Sequence, residues 1–129
     1  MNLLCTILGI TCTAGTIAGS AYVLDGDTIS IHEAHVRLAG IDAEELSEPN
    51  GYAAKEHLQS LTNGQSVTCH WDGWSYNRRV GICFTTTNLN EQMIRDGFAL
   101  DCYHYSNGRY RQLEPPSVRS RLIQKGYCK

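Results

Sequence analysis

The chain has 129 residues, of which 42% are hydrophobic and 19% charged, a composition typical of one soluble globular domain. Its formal net charge of -2 excludes a strong overall electrostatic attraction to nucleic acid. The charge is uneven, however, because residues 1–94 sum to -6 and residues 95–129 sum to +4. This asymmetry fits a cation site beside an anion-binding surface, and it fits equally well a solvated surface without a function.

The first residues, MNLLCTILGITCTAG, carry no charge and place an apolar run before small residues. That order is typical of a secretory signal, although the usual basic start is missing. We therefore interpret residues 1–15 as a secretory signal or leader. We expect a secreted or periplasmic protein that is monomeric and has no stable membrane association once the signal is removed. The alternative is a buried first strand preceded by a disordered leader.

Alternation of polar and apolar residues predicts three strands, at 16–25, 28–33 and 35–41, which form a meander. Apolar side chains that recur on one face then predict a helix over 52–61, ended by Asn63-Gly64.

The second half of the chain begins with a hairpin formed by SVTCHW (66–71) and RVGICFTT (79–86). Asn88 is expected to cap a second helix that stops at Gly97. FALDCYHY is expected to be extended, and VRSRLIQKG to contain a short helix. The pattern predicts a mainly β protein with helices (α+β), in which a five-stranded barrel packs against two to three helices.

Outside the leader, the cysteines are Cys69, Cys83, Cys102 and Cys128. Four cysteines allow three disulfide connectivities, and the spacing alone does not select one. We favour 69–83, because these residues flank one predicted hairpin at matching distances, and 102–128, which would tie the tail back. The alternative is four reduced thiols in the core of a cytosolic protein.

Several carboxylates gather at the ends of predicted strands. Asp27 begins one strand and Asp42 ends another, and two carboxylates with a backbone carbonyl and waters suit Ca²⁺ or Mg²⁺. Arg37 lies five residues before Asp42 and would face the same site only if the strand bends, which we expect at Gly40. Its guanidinium could then stabilise a phosphate, while Glu45 is placed to act as a base on water.

Five motifs occur in one order along the chain: VLDGDTISI, VRLAGIDAEE, YNRRVGI, NLNEQMIRDGFAL and YHY. Together they resemble the staphylococcal nuclease (thermonuclease) family, over residues 16–113. The resemblance implies an OB-fold barrel and a Ca²⁺-dependent nuclease that hydrolyses DNA and/or RNA, as an endonuclease or exonuclease. Residues 114–129 are then a divergent tail, which Cys128 could tether.

The resemblance also implies roles for single residues, matched motif by motif. It makes Asp27, Asp42 and the backbone carbonyl of Ala43 the metal ligands, Glu45 the partner of the attacking water, and Arg37 and Arg78 the phosphate clamp. Asp25 would support the ligands from behind, and Thr28 would lie near the metal-bound waters. The nucleotide pocket would be lined by aromatic side chains, namely Tyr76, Tyr103 and Tyr105.

The chain departs from this family at Glu44, which replaces the usual proline and adds an acid without an evident role. Two other functions remain open. One is a catalytically weak or inactive barrel that binds nucleic acid or protein, and the other is a disulfide-stapled secreted protein with a structural calcium.

Overall fold

Strands and helices alternate much as the sequence pattern predicts. The computed structural model describes residues 12–129. Within this range the strands are β1 (Ala14–Asp25), β2 (Thr28–Ile31), β3 (Ala34–Leu38), β4 (Ile41–Asp42), β5 (Ser66–Ser75), β6 (Arg78–Phe84) and β7 (Leu100–Asp101). The α-helices of the same range are α1 (Gly51–Thr62), α2 (Leu89–Arg95), α3 (Tyr103–Ser106) and α4 (Val118–Arg121), with 3-10 turns at Arg111–Leu113 and Gly126–Cys128.

The barrel closes in the order β1-β2-β3-β6-β5. The long strand β1 makes this closure possible, because its first part pairs with β5 and its second part with β2. It changes partner between Ser20 and Ala21. Strands β3 and β6 pair in parallel, and β4 leaves the barrel to pair with β7. The fold is therefore a closed five-stranded barrel with packed helices, as predicted.

The barrel interior is filled by apolar side chains that alternate along the strands. Each such side chain contributes about 1.5–3 kcal/mol when it is fully removed from water. Helix α1 covers the barrel with Ala54 and Leu58, and helix α2 adds Met93. The completely buried members from the barrel strands are Ile29, Ile31, Val36, Leu38, Val67, Cys69 and Cys83.

Both long helices follow their predicted signals. Helix α1 gives way to Asn63 and to Gly64, whose φ of 71° is the left-handed conformation that favours glycine. At the start of α2, the Asn88 side chain accepts a hydrogen bond from the Glu91 amide, as expected of a cap. The buried Asn90 then fixes α2 on the barrel, because its amide bonds the backbone of β6 and of the chain after β3.

The predicted extended conformation of FALDCYHY is wrong beyond Asp101. Residues Tyr103–Ser106 form one helical turn, in which the Cys102 carbonyl accepts hydrogen bonds from the amides of Tyr105 and Ser106. Asn107, at φ 56°, ends that turn. The alternating aromatic residues look like a strand, but tertiary contacts of the short segment override that local preference.

The predicted hairpin is longer than expected, and its loop is shorter. Strands β5 and β6 continue to Ser75 and Arg78, so that Tyr76 and Asn77 form the connection. Strands β2 and β3 are connected by His32-Glu33, whereas the predicted strands 28–33 and 35–41 leave only Ala34 between them.

Disulfides connect Cys69 to Cys83 and Cys102 to Cys128, the pairing that the sequence favours. The first joins directly opposed residues of β5 and β6. The second fastens Cys128, near the end of the chain, next to β7.

Of the predicted leader, residues 1–11 lie outside the described part of the chain, and β1 already begins at Ala14. Over residues 12–129, the helices are too short or too polar to cross a bilayer.

The turn between β1 and β2 contains Gly26, whose missing side chain leaves room for close packing. A Cβ atom at this position would lie 2.6 Å from Ala54 Cβ and 2.7 Å from Ala43 Cβ. We expect Gly26→Ala to lower the free energy of unfolding by about 1–3 kcal/mol, because α1 and the segment after β4 must move apart. Urea denaturation would measure it.

Gly126→Ala is the matched control, since a Cβ atom there meets no atom within 4 Å. It should change stability by no more than about 0.5 kcal/mol. Equal effects of the two substitutions would contradict the packing role of Gly26.

Candidate active site

Asp27 lies at the centre of the predicted site and is almost fully buried. Its Oδ2 atom accepts a hydrogen bond of 3.0 Å from the Ala43 amide, and its Oδ1 atom accepts one of 3.3 Å from the Thr28 hydroxyl. The first of these bonds holds the segment after β4 against the turn before β2. The carboxylates that the sequence places at strand ends are thereby brought together.

Arg37 reaches the site because the chain turns at Gly40, where φ is 75°. The bend expected between Arg37 and Asp42 therefore occurs at Gly40, as predicted. The Arg37 Nη2 atom lies 3.3 Å from Asp27 Oδ2 and donates to the Ile41 carbonyl at 2.9 Å. Burial opposes the charge, but the Asp27 carboxylate and then the nearby Tyr127 and Asp42 side chains raise the pKa of the Arg37 guanidinium above its ordinary value.

Asp42 has a completely covered side chain, and its partner is a lysine that the sequence analysis did not place there. Lys125 Nζ lies 2.7 Å from Asp42 Oδ1 and donates at 2.7 Å to the Ala43 carbonyl. The Lys125 backbone amide donates to Asp42 Oδ2 at 2.9 Å, and Glu45 Oε1 lies 3.4 Å from Nζ. Burial lowers the pKa of Lys125, but Asp42 reverses this effect and the net direction is upward.

The oxygen atoms around Lys125 Nζ include two of the three predicted metal ligands, Asp42 and the Ala43 carbonyl. Because they are hard oxygen donors and already surround a positive charge, they fit a hard cation such as Ca²⁺. Within residues 12–129, no three His, Cys, Asp or Glu side chains form a metal-binding group. The predicted set does not depend on such a group, since it consists of two carboxylates and a carbonyl.

Arg78 is the first residue of β6, at the connection of the β5–β6 hairpin, and its side chain lies beside the start of β2. Its Nη1 atom is 3.4 Å from the Thr28 hydroxyl, and its Nη2 atom donates to the Ser75 hydroxyl at 3.1 Å. Thr28 is also the residue that pairs with Arg37 across β2 and β3. The two predicted clamp arginines therefore flank Thr28.

Asp25 and Glu45 lie at the edges of this cluster. Asp25 Oδ1 accepts a hydrogen bond of 3.0 Å from the Asp27 amide, and burial together with the Asp27 charge raises the pKa of Asp25 to about 6. Glu45 lies on the solvent-exposed side of the cluster, with 56% of its side chain exposed. It can therefore contact both solvent and a bound molecule.

The three predicted nucleotide-contacting tyrosines are all exposed, namely Tyr76, Tyr103 and Tyr105. Tyr76 is at the hairpin connection, two residues before Arg78. Tyr105 packs edge to face against Tyr127, with ring centroids 6.4 Å apart.

Glu44, which had no expected role, anchors the tail. Its buried carboxylate accepts hydrogen bonds from the Asn50 amide at 2.9 Å, the Asn50 side chain at 2.8 Å and the Ile123 amide at 2.9 Å. Burial opposes the negative charge, but the bonds from Ile123 and Asn50 outweigh it, so the pKa of Glu44 is lowered.

Glu44, Lys125 and Tyr127 are thus the residues around the site that sequence reasoning missed. The available signal was the favoured Cys102–Cys128 disulfide. Cys102 directly follows β7, and β7 pairs with the strand that holds Asp42. That pairing, once known, places the last residues of the chain beside the site.

The anchoring role of Glu44 predicts a pH-dependent stability. Replacing Glu44 by Gln should lower the free energy of unfolding by about 2 kcal/mol at pH 7, because buried donors lose a charged acceptor. A lowered pKa in the folded state means that this contribution is present above about pH 4.5, the ordinary value, and is lost as the pH falls further. The difference between the two proteins should therefore narrow in acid.

Chemical denaturation at pH 7 and below pH 4 would measure both effects. Glu56→Gln, on the exposed face of α1, is the control and should change little at either pH. If the difference in the free energy of unfolding between the unchanged protein and Glu44→Gln were the same at both pH values, the anchoring role of the Glu44 carboxylate would be contradicted.

Residues 35–127 match the family described as staphylococcal nuclease homologue. The micrococcal nuclease of Shigella flexneri is 30% identical over 118 residues, which cover 78% of this chain and 68% of that protein. An uncharacterized endonuclease of Escherichia coli O157:H7 is 33% identical over 84 residues, or 60% of this chain and 55% of that protein. A probable staphylococcal-like nuclease of Oryza sativa subsp. japonica is 34% identical over 83 residues, which cover 63% of this chain but 24% of the rice protein. On this match and on the barrel described above, the chain belongs to the staphylococcal nuclease family.

Proposed function

We propose that the protein is a Ca²⁺-dependent nuclease that hydrolyses phosphodiester bonds of DNA and/or RNA. The observation that carries this proposal is the convergence of Asp27, Arg37 and Asp42 with Arg78, which comes from a distant hairpin. Relatives named as nucleases support the same reaction class.

Asp27, Asp42 and the Ala43 carbonyl are the residues that would hold the calcium ion. The chemistry of the donor atoms supports this assignment, since Asp42 and the Ala43 carbonyl already bind the charged nitrogen of Lys125 at 2.7 Å. A divalent cation held there supplies a Lewis acid for a phosphate oxygen.

The arginines contribute the remaining positive charge. Arg37 and Arg78 lie on both sides of Thr28, so a phosphate above this residue would meet two guanidinium groups. Such groups stabilise negative charge that grows in the transition state. Glu45, with its exposed carboxylate, would orient the attacking water or take its proton.

Exposed aromatic rings would bind the bases of the substrate. Tyr103 and Tyr105 share one exposed turn of helix, and Tyr76 is almost fully exposed. Stacking of a base on an aromatic ring tolerates any sequence, which suits a nuclease without strict specificity.

The disulfides Cys69–Cys83 and Cys102–Cys128 favour an oxidising compartment, and we propose a secreted or periplasmic location on that ground.

A second candidate function is a barrel that binds nucleic acid or protein without cleaving it. The observation that favours it is the ion pair of Lys125 with Asp42, whose side chain is completely buried. If this contact is permanent, the carboxylate is not available to a metal ion.

Digestion of DNA and RNA in the presence of calcium tests the proposed nuclease activity. We expect the release of acid-soluble nucleotides to stop when a chelator is added. Asp42→Ala should abolish the metal-dependent rate, and Arg37→Ala should lower it by about 10²–10³-fold, because transition-state charge loses a donor.

Arg95→Ala is the control, since this arginine lies on α2, more than half exposed, and pairs with Glu91. It should keep full activity. Hydrolysis that ignores both the chelator and Asp42→Ala would contradict the proposal. Protein that binds single strands but releases no nucleotides would support the binding module instead.

A further inference from the structure

The C-terminal strap, which we define as residues 122–129, crosses the candidate site and is anchored on both sides of it. On the N-terminal side of Lys125, the Glu44 carboxylate accepts a hydrogen bond of 2.9 Å from the Ile123 amide. On its C-terminal side, a disulfide joins Cys128 to Cys102. The residues between these anchors are held against the carboxylate cluster.

Lys125 lies between the two anchors and acts there as a cation. Its ammonium bonds Asp42 and the Ala43 carbonyl, both at 2.7 Å, and faces Glu45 at 3.4 Å. These are the atoms that the proposed function assigns to calcium and to water. A metal ion and this ammonium cannot bind the same oxygens together.

Tyr127 belongs to the same strap, and its ring packs edge to face against Tyr105, with centroids 6.4 Å apart. It lies near enough to Arg37, to which the proposed function assigns a phosphate, to help raise the pKa of that guanidinium. The strap thus places one group on the cation position and another near the anion-binding arginine.

We propose that the strap is autoinhibitory, with the Lys125 ammonium as an internal competitor that must leave Asp42 before a divalent cation binds. This inference rests on the proposed function, since it concerns the same site. It adds that the apparent calcium affinity is set by the strap as well as by the ligands.

Displacement of Lys125 does not require the strap to unfold. A lysine side chain has four rotatable bonds, so its ammonium can swing into solvent while the backbone stays anchored. On both sides of Lys125 the strap is partly open to solvent, because Ile123 and Tyr127 are about half exposed. A divalent ion brings twice the charge to the carboxylates, which allows it to replace the ammonium.

Calorimetric titration of CaCl₂ into the metal-free full chain tests the competition. We expect Lys125→Met, which keeps the length of the side chain without its charge, to lower the half-saturating calcium concentration by about tenfold. Lys129→Met is the matched control, because this exposed lysine belongs to the same strap, and it should titrate like the unchanged protein.

Lys125→Met leaves Asp42 without its cation, so its folding must be checked by circular dichroism. A second variant keeps the test usable if it does not fold. Cys102→Ser/Cys128→Ser unties the strap and should also lower the half-saturating concentration. Cys69→Ser/Cys83→Ser removes the disulfide of the hairpin instead and should leave the half-saturating calcium concentration unchanged.

The outcomes separate this inference from the function on which it rests. If the unchanged protein binds calcium and neither Lys125→Met nor the untied strap binds it more tightly, the competition is overturned and the nuclease proposal stands. If neither the unchanged protein nor Lys125→Met binds calcium at millimolar concentration, the calcium site is overturned, and the competition with it.

Discussion

Two buried carboxylates, Asp27 and Asp42, set the constraint that shapes the surroundings of the site. A buried negative charge is costly unless a positive group contacts it, and each has one, Arg37 for Asp27 and Lys125 for Asp42. The first contact requires the chain to turn sharply at Gly40. The second requires the C-terminal segment to return to the barrel. The layout of this end of the molecule follows from these charges.

Much of the fold could be predicted because its signals are local. Alternation along the strands, the Asn88 cap and the Asn63-Gly64 end of α1 each depend on residues a few positions apart. Part of the site has the same character, since Arg37, Gly40 and Asp42 lie in one short stretch. Arg78 was found differently, through the resemblance of its motif to a family, because no local pattern connects it with Thr28.

The missed features depend on distant contacts. Glu44 and Ile123 are separated by 79 positions, and Asp42 and Lys125 by 83, so no periodicity relates them. Glu44 looked like a surplus acid because it replaces the proline usual in the family, whereas its partners are Asn50 and a backbone amide of the tail. The turn of helix at Tyr103 was missed for a similar reason, since alternating aromatic residues favour a strand until the tertiary contacts are known.

The long separation of Asp42 and Lys125 has a consequence for the order of folding. The barrel strands can pair before the residues near position 125 dock, but the carboxylates then repel one another without a nearby ammonium. Until that docking occurs, the Asp42 carboxylate lacks its ammonium partner, so the candidate site is completed only when the C-terminal segment has reached the barrel.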